Sequence, residues 1–275
     1  MKYACPAKLN LFLHITGRRA DGYHLLQTVF QLIDLCDILH ISPRQDGALH
    51  FSCSDPRLEG ADNLVLRAAH ALREVGAITA GATLHLEKHI PMGAGLGGGS
   101  SDAASALLGL NQLWQVGLDE DALAQIGLGL GADVPLFVRG HSAWAEGVGE
   151  ILTPIQLPPA YFLVISPDCH VATKDIFSHQ QLTRNTTAIK MAAFLDGHTR
   201  NDCENVVRSL YPPVDAALKW LQQFAPARMT GTGASIFAAF DSEQQAQAVL
   251  HRIPAGMQGF VARGLNHSNV SVSAC

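Results

Sequence analysis

Apolar and polar positions alternate along residues 2–16, with Leu9, Leu11, Leu13 and Ile15 in step, the period of a half-buried strand. Three further strands are expected at Leu25–Leu35, Asp37–Ser42 and Ala48–Cys53, the last two separated by a turn at Gln45-Asp46-Gly47. From Asp62 the period changes to that of a helix. Leu64, Leu66, Ala68, Ala71, Leu72 and Val75 form its apolar side, and Gly76 lies just past its end. A strand at Ala82–Lys88 then runs into the glycine-rich stretch PMGAGLGGGSS. The Ala- and Leu-rich run Ser100–Trp114 reads as a strong helix capped by Ser100 or Ser101. Asp119–Leu128 reads as another, with acidic residues in its first turn to complement the helix dipole. Gly131-Ala132-Asp133-Val134-Pro135 ends it, and Leu136–Arg139 and Ser142–Ile151 read as paired strands about Gly140.

The prolines of Thr153–Pro159 mark a linker, which divides the chain into residues 1–154 and 155–275. The second part carries a strand at Tyr161–Ser166, a helix at Val214–Phe224 and a glycine turn at Gly231–Gly233. A strand at Ile236–Phe240, a helix at Ser242–Arg252 and a strand at Gly259–Leu265 follow. Helices and strands alternate without a regular βαβ beat, so the expected class is α+β, not a doubly wound sheet. The chain has 275 residues and is 48% hydrophobic and 16% charged, enough for a sizeable core. A net charge of −5 carries no basic surplus for nucleic acid. No apolar run reaches the roughly 20 residues that span a bilayer, and Lys8, Asn10 and His14 interrupt the N-terminal apolar stretch. A cytoplasmic protein is expected. Six scattered cysteines without a C-x-x-C pair fit reduced thiols, and the thirteen histidines supply no metal-ligand motif.

The chemistry is concentrated at Pro91, Met92, Gly93, Ala94, Gly95, Leu96, Gly97, Gly98, Gly99, Ser100 and Ser101. Glycine is required where the backbone takes positive φ or where another group approaches it closely. A strand–glycine–helix junction aims free N–H groups and the positive end of a helix dipole at one point, which suits a phosphate. Ser100 and Ser101 add hydroxyls for capping, for phosphate or for Mg²⁺. A flexible connection is the plainer alternative, although such linkers run longer and looser. The P-loop pattern fails, because no Lys follows the glycines. Gly93, Gly95 and Gly98 formally satisfy G-x-G-x-x-G, which leaves an NAD(P)-dependent oxidoreductase as an alternative. Asp119, at about the spacing of the ribose-binding acid, starts a helix instead of following a strand.

Three separated segments together resemble the GHMP kinases, the family of galactokinase, homoserine kinase, mevalonate kinase and phosphomevalonate kinase. They are Pro6-Ala7-Lys8-Leu9-Asn10-Leu11, the loop Pro91–Ser101, and Thr230-Gly231-Thr232-Gly233-Ala234-Ser235. RADGYH at 19–24, LGADVPLFVRG at 130–140 and AEGVGEIL at 145–152 are similar to the branch whose acceptor bears a cytidine diphosphate group. The resemblance implies a two-domain fold: an N-terminal ATP-binding domain like the second domain of ribosomal protein S5, and a smaller α+β C-terminal domain. It implies ATP as phosphate donor on the 91–101 loop, with Mg²⁺ held by ligands the sequence leaves unknown. It implies Asp133 as catalytic base, Lys8 as the cation beside it, and Asn10 sharing Lys8's strand face. Without the resemblance, Asp133 is as well read as a turn residue and Lys8 as an edge-strand lysine. Tyr23 and His24 are implied to stack on and bond the cytosine, with Thr173 and Phe177 on the far side of that pocket. Asn63 and Lys88 are placed near ATP, or else are a helix-end residue and a solvated strand lysine. Thr230–Ala234 either closes over the site or is a structural turn. A small molecule is the expected partner, with neither nucleic acid nor membrane, for a monomer or weak homodimer. A catalytically silent nucleotide sensor remains the third reading.

Overall fold

The computed structural model describes residues 1–195, 197, 199–268 and 271–272. The strands are β1 (Lys2–Arg18), β2 (His24–Arg44), β3 (Leu49–Cys53), β4 (Gly81–Glu87), β5 (Ala143–Glu146), β6 (Ile151–Pro154), β7 (Tyr161–Pro167), β8 (Ala227–Met229), β9 (Ile236–Phe240), β10 (Met257–Leu265) and β11 (Ser271–Val272). The helices are α1 (Leu64–Gly76), α2 (Gly98–Leu113), α3 (Glu120–Leu130), α4 (Val134–Arg139), α5 (Thr173–Ser178), α6 (Met191–Leu195), α7 (Glu204–Leu210), α8 (Pro212–Leu221) and α9 (Glu243–Leu250).

The strands join in one mixed, mainly antiparallel sheet with the spine β11-β1-β2-β10-β7-β9-β8. The long strand β2 also pairs with β4 and β5, and β3 runs parallel to β4. Strand β10 ties the two halves of the chain together, pairing with β2 through Gly264 and Leu265 and with β7 along its length. One core forms where α1, α2 and α4 bury Val65, Leu72, Leu107, Leu110 and Phe137 against Leu39, Ile41, Leu84 and Leu86 of β2 and β4. A second forms where α7 and α8 bury Val206, Val207, Leu218 and Leu221 against Leu163, Ile165 and Ile236 of β7 and β9. Each fully buried Leu or Ile contributes about 1.5–3 kcal/mol, so each helical layer holds its half of the sheet. These features bear out the α+β expectation.

Several expectations differ, among them the strand at 142–151, which is divided between the paired strands β5 and β6. The two strands assigned to 25–42 are one, β2. Its register against β1 jumps from Ala7–Ile33 to Pro6–Cys36, so Asp34 and Leu35 form a bulge opposite a proline that has no N–H to donate. Residues 136–139 are helical, not extended, because Pro135 in the first turn of α4 starts a helix that Gly140 ends in the left-handed region. The short helices α5, α6 and α7 had no periodic signal long enough to read. Five cysteines, Cys5, Cys36, Cys53, Cys169 and Cys203, are free thiols, and Cys275 lies outside the described residues.

Helix α2 is buried nearly all round, from Ser101 through Leu110. It lies close to the sheet because Gly109 has no side chain. A Cβ there would stand 2.5 Å from Ile41 Cδ1 and 2.7 Å from the Tyr3 ring. Gly109→Leu is expected to cost about 1–3 kcal/mol by overpacking. A fall in the urea midpoint of unfolding checks it, and an unchanged midpoint would mean that α2 is free to move away.

Candidate active site

Among the described residues, strand β1 pairs with β11 only at Lys2 and Tyr3, and most of its outer edge has no strand beside it. Buried backbone N–H groups must find acceptors, and here three loops supply them. Lys8 N donates to Leu96 O (2.9 Å), Asn10 N to Thr230 Oγ1 (2.8 Å), Leu13 N to Arg200 O (3.0 Å) and Ile15 N to Asp202 Oδ2 (2.8 Å). The glycine loop and the 230–235 turn therefore meet on one edge. Gly95 has φ +73°, and a Cβ on it would lie 2.6 Å from Thr230 O. Gly97 has φ +75°, and its Cβ would meet Phe137 and Lys8. At both positions glycine is required twice, by conformation and by contact.

Gly97, in the left-handed region, is the N-cap of α2, with no side chain on the cap. The two glycines at 98 and 99 are already helical. The serine cap is thereby corrected: Ser100 and Ser101 lie inside the first turn, Ser100 facing the cavity and the Ser101 hydroxyl buried without a partner. The first backbone N–H groups of α2 are left without helical acceptors, the arrangement that holds phosphate.

Lys8 is 4% exposed. Its ammonium has three protons and three acceptors: Asn10 Oδ1 at 2.6 Å, Gly95 O at 3.0 Å and Asp133 Oδ2 at 3.4 Å. The Phe30 ring lies beneath it, 5.4 Å from the nitrogen. The edge-strand reading of Lys8 is thus overturned, because the loop covers that edge. Asp133 begins α4 but does not cap it, and its carboxylate remains about one-third exposed beside the cation.

Both groups face a cavity of about 760 Å³ that also carries Asn10, Gly95, Gly97, Ser100, Tyr23, His24, Thr173, Phe177 and Thr232. Tyr23 is exposed on the turn before β2, while His24 stacks on Phe177 at 5.0 Å between ring centroids. Thr173 shares a 2.9 Å hydrogen bond with Thr232. The sequence-predicted acceptor residues and the Lys8–Asp133 pair therefore share one space. Arg184, which bonds His24, escaped the sequence reading because its segment has neither period nor motif.

Asn63 and Lys88 do not join that cavity. Asn63 caps α1 by accepting from Val65 N and donates to Leu58 O, so its amide is committed to structure. Lys88 is not solvated. Its ammonium bridges the buried carboxylates of Asp37 and Asp102, the latter at 2.8 Å. Asp37 also accepts from the N–H groups of His89 and Ile90, and Asp102 sits in the first turn of α2. The ion group thus ties together the two ends of the glycine loop. Asp37 has three donors, whereas Asp102 leaves Oδ1 unpaired. Burial, with Asp37 nearby and against the pull of Lys88, raises the Asp102 carboxyl to about 7. The folded state then holds a proton that the unfolded chain releases near pH 4. Stability from this group is lost as pH rises from about 4 to 7. Asp102→Asn is expected to flatten that loss, read as urea midpoints at pH 5 and pH 8. Parallel profiles for the two proteins would count against it.

The G-x-G-x-x-G match is not a dinucleotide turn. The strand after α2 is β5, which pairs with β2 and β6 and not with β4. Two family models, the GHMP kinases N-terminal domain and the GHMP kinases C-terminal domain, match residues 63–141 and 182–259. With that site and fold, the chain belongs to the GHMP kinase family. Within it, the chain is 52% identical over 97% of its length to the 4-diphosphocytidyl-2-C-methyl-D-erythritol kinase of Nitrosococcus oceani, covering 95% of that protein. It is 54% identical over 96% to the protein of the same name from Marinobacter nauticus, covering 93% of it. A crystal structure of 4-(cytidine 5'-diphospho)-2C-methyl-D-erythritol kinase superposes with a TM-score of 0.83 at 33% identity, over 96% of this chain and 99% of that one. A mevalonate kinase structure shares the fold at a TM-score of 0.71 and 15% identity, over 97% of this chain and all of that one.

Proposed function

We propose that this chain transfers the γ-phosphoryl group of ATP to the 2-hydroxyl of 4-diphosphocytidyl-2-C-methyl-D-erythritol, giving the 2-phosphate and ADP. The step belongs to the non-mevalonate (methylerythritol phosphate) route to isoprenoid precursors. The observation that carries the reading is one cavity holding the Lys8–Asp133 pair, the start of α2, and the aromatic pair His24 and Phe177. Relatives above half identity over nearly the whole chain bear that enzyme name.

In this mechanism the acceptor hydroxyl sits against Asp133 Oδ. The carboxylate takes its proton as the oxygen forms a bond to the γ-phosphorus, and the bond to the ADP oxygen breaks in line. Lys8, 3.4 Å from Asp133 Oδ2, offsets charge that develops on the attacking oxygen. The N–H groups at Gly98–Ser100 hold the phosphates, and closure by Thr230–Ala234 is supported by the Thr230 contacts to Asn10 and Gly95. Tyr23 supplies a face for the cytosine, and His24 and Phe177 supply its edge and opposite wall.

GHMP kinases use ATP, generally with Mg²⁺, which neutralises phosphate charge when bound. Among the described residues no three His, Cys, Asp or Glu side chains gather as a metal cluster. The free oxygen of Asp102 is buried behind the loop. This donor set fits an ion carried by phosphate oxygens and water. On this reading residues 1–154 bind ATP and residues 155–275 complete the acceptor side. No helix among the described residues is long and apolar enough to cross a membrane. A cytoplasmic monomer or weak homodimer is the proposed form.

ADP release with the cytidylyl alcohol is expected to exceed that with mevalonate, homoserine or galactose. Preference for one of those three would overturn the acceptor and keep the kinase. Asp133→Ala is expected to lower kcat by at least 10²–10⁴-fold, the usual reach of a general base, while ATP still raises the melting temperature. Near-normal turnover in that variant would remove Asp133 from the chemistry.

A further inference from the structure

We infer that Arg184 locks the His24 ring as the tautomer with its proton on Nδ1, and that this lock selects a pyrimidine with a ring acceptor, cytosine, over one with a ring N–H, uracil. The inference rests on the cytidylyl acceptor proposed above.

Arg184 Nε–H donates to His24 Nε2 at 3.1 Å. A guanidinium can only donate, and it remains charged at any pH the protein experiences. His24 Nε2 must therefore offer a lone pair, which places the proton of the neutral ring on Nδ1. The guanidinium has no freedom to turn away. Nη1 donates to Leu182 O at 3.1 Å, and Nη2 donates to Phe177 O and His179 O, each at 2.8 Å. Four of its five N–H groups are thus used, three of them on carbonyls that also fix the segment carrying Phe177. Phe177 in turn stacks on the His24 ring, so the imidazole is held on its face and on one edge. Protonation of His24 is disfavoured by burial first, then by the nearby charges of Arg184 and Arg18.

His24 lines the acceptor cavity, so the consequence is a fixed tautomer on its wall, and on this inference the Nδ1–H left free by Arg184 is the donor offered to the base. Aromatic faces such as Tyr23 accept any base, because every base has a π-face. Discrimination between cytosine and uracil needs an edge contact, and their ring nitrogens differ in kind. N3 of cytosine accepts a hydrogen bond, whereas N3 of uracil carries a proton. A Nδ1–H donor pairs with the first and opposes the second. The opposite tautomer would reverse the preference. Arg184 is in this sense a positioning residue: it acts through His24.

The test compares kcat/KM for the cytidylyl alcohol and its uridylyl counterpart in wild type, Arg184→Met and Arg184→Lys. It is joined to ¹⁵N spectra of the histidines in the free enzyme. Wild-type His24 is expected to show a protonated, pyrrole-type Nδ1 and a pyridine-type Nε2. Arg184→Met is expected to mix the two forms and to lower the cytidylyl-to-uridylyl ratio about tenfold, the worth of one hydrogen bond. The loss is expected in KM, with kcat kept. Arg184→Lys, which cannot reach three carbonyls and the ring together, is expected to restore little of the ratio. Wild-type His24 protonated on Nε2, or equal losses on both acceptors, would overturn the inference. A wild type that phosphorylates neither acceptor would overturn the substrate instead, and the free-enzyme spectrum still decides the Arg184–His24 contact.

Discussion

The unpaired outer edge of β1 is the constraint around which the site is assembled. Every buried N–H on that edge needs an acceptor, and among the described residues no strand beyond Tyr3 provides one. Leu96, Thr230, Arg200 and Asp202 do so, from three distant places in the chain. The same strand turns a lysine inward. A buried ammonium without acceptors costs several kcal/mol, so Lys8 brings in Asn10, Gly95 and Asp133. The same segments thus close the edge and seat the Lys8–Asp133 pair. The glycine loop cannot detach without stranding both a backbone donor and a charge.

Electrostatics on the two sides of the loop are kept apart. Behind it, Lys88 is neutralised by Asp37 and Asp102, and that group pins the segment before the loop to the first turn after it. In front, the N–H groups at the start of α2 and the ammonium of Lys8 leave a positive potential for phosphate. Had Lys88 pointed forward, it would have added a mobile point charge. Facing backward it fixes the loop's geometry, and fixed dipoles stabilise developing charge without reorganising.

The sequence reading named residues that the fold brings into one cavity, and it was less complete on the secondary structure around them. Glycine spacing was legible in its own segment, whereas Lys8 and Asp133 were singled out by the resemblance: a lysine in an apolar strand reads equally as an edge residue, and an acid before Val-Pro as a turn residue. The burial of Lys8 was not legible, because it depends on residues 87 positions away closing the strand edge. The burial of Lys88 was hidden for the same reason. Strand propensity at 82–88 says nothing of two carboxylates arriving from β2 and α2. The break assigned within 25–42 followed the polar pair Asp34 and Asp37. A bulge opposite Pro6 absorbs the first and buries the second, and only the partner strand reveals it. Helix α4 was missed because six residues are too few for periodicity to separate from a strand.

The acceptor pocket shows why its specificity was the least legible part. The reactive centre is carried by β1, the loop and the start of α4, all anchored on a sheet with a buried core. The acceptor wall is instead divided between the turn before β2 and the segment 173–184, which meet only through His24, Phe177 and Arg184. Nothing local in either segment predicts the other. A tautomer is set by one donor 160 residues away in sequence, so its chemistry exists only in the fold. The division also has a physical use. Loops on a rigid scaffold can change what they contact without moving the Lys8–Asp133 pair.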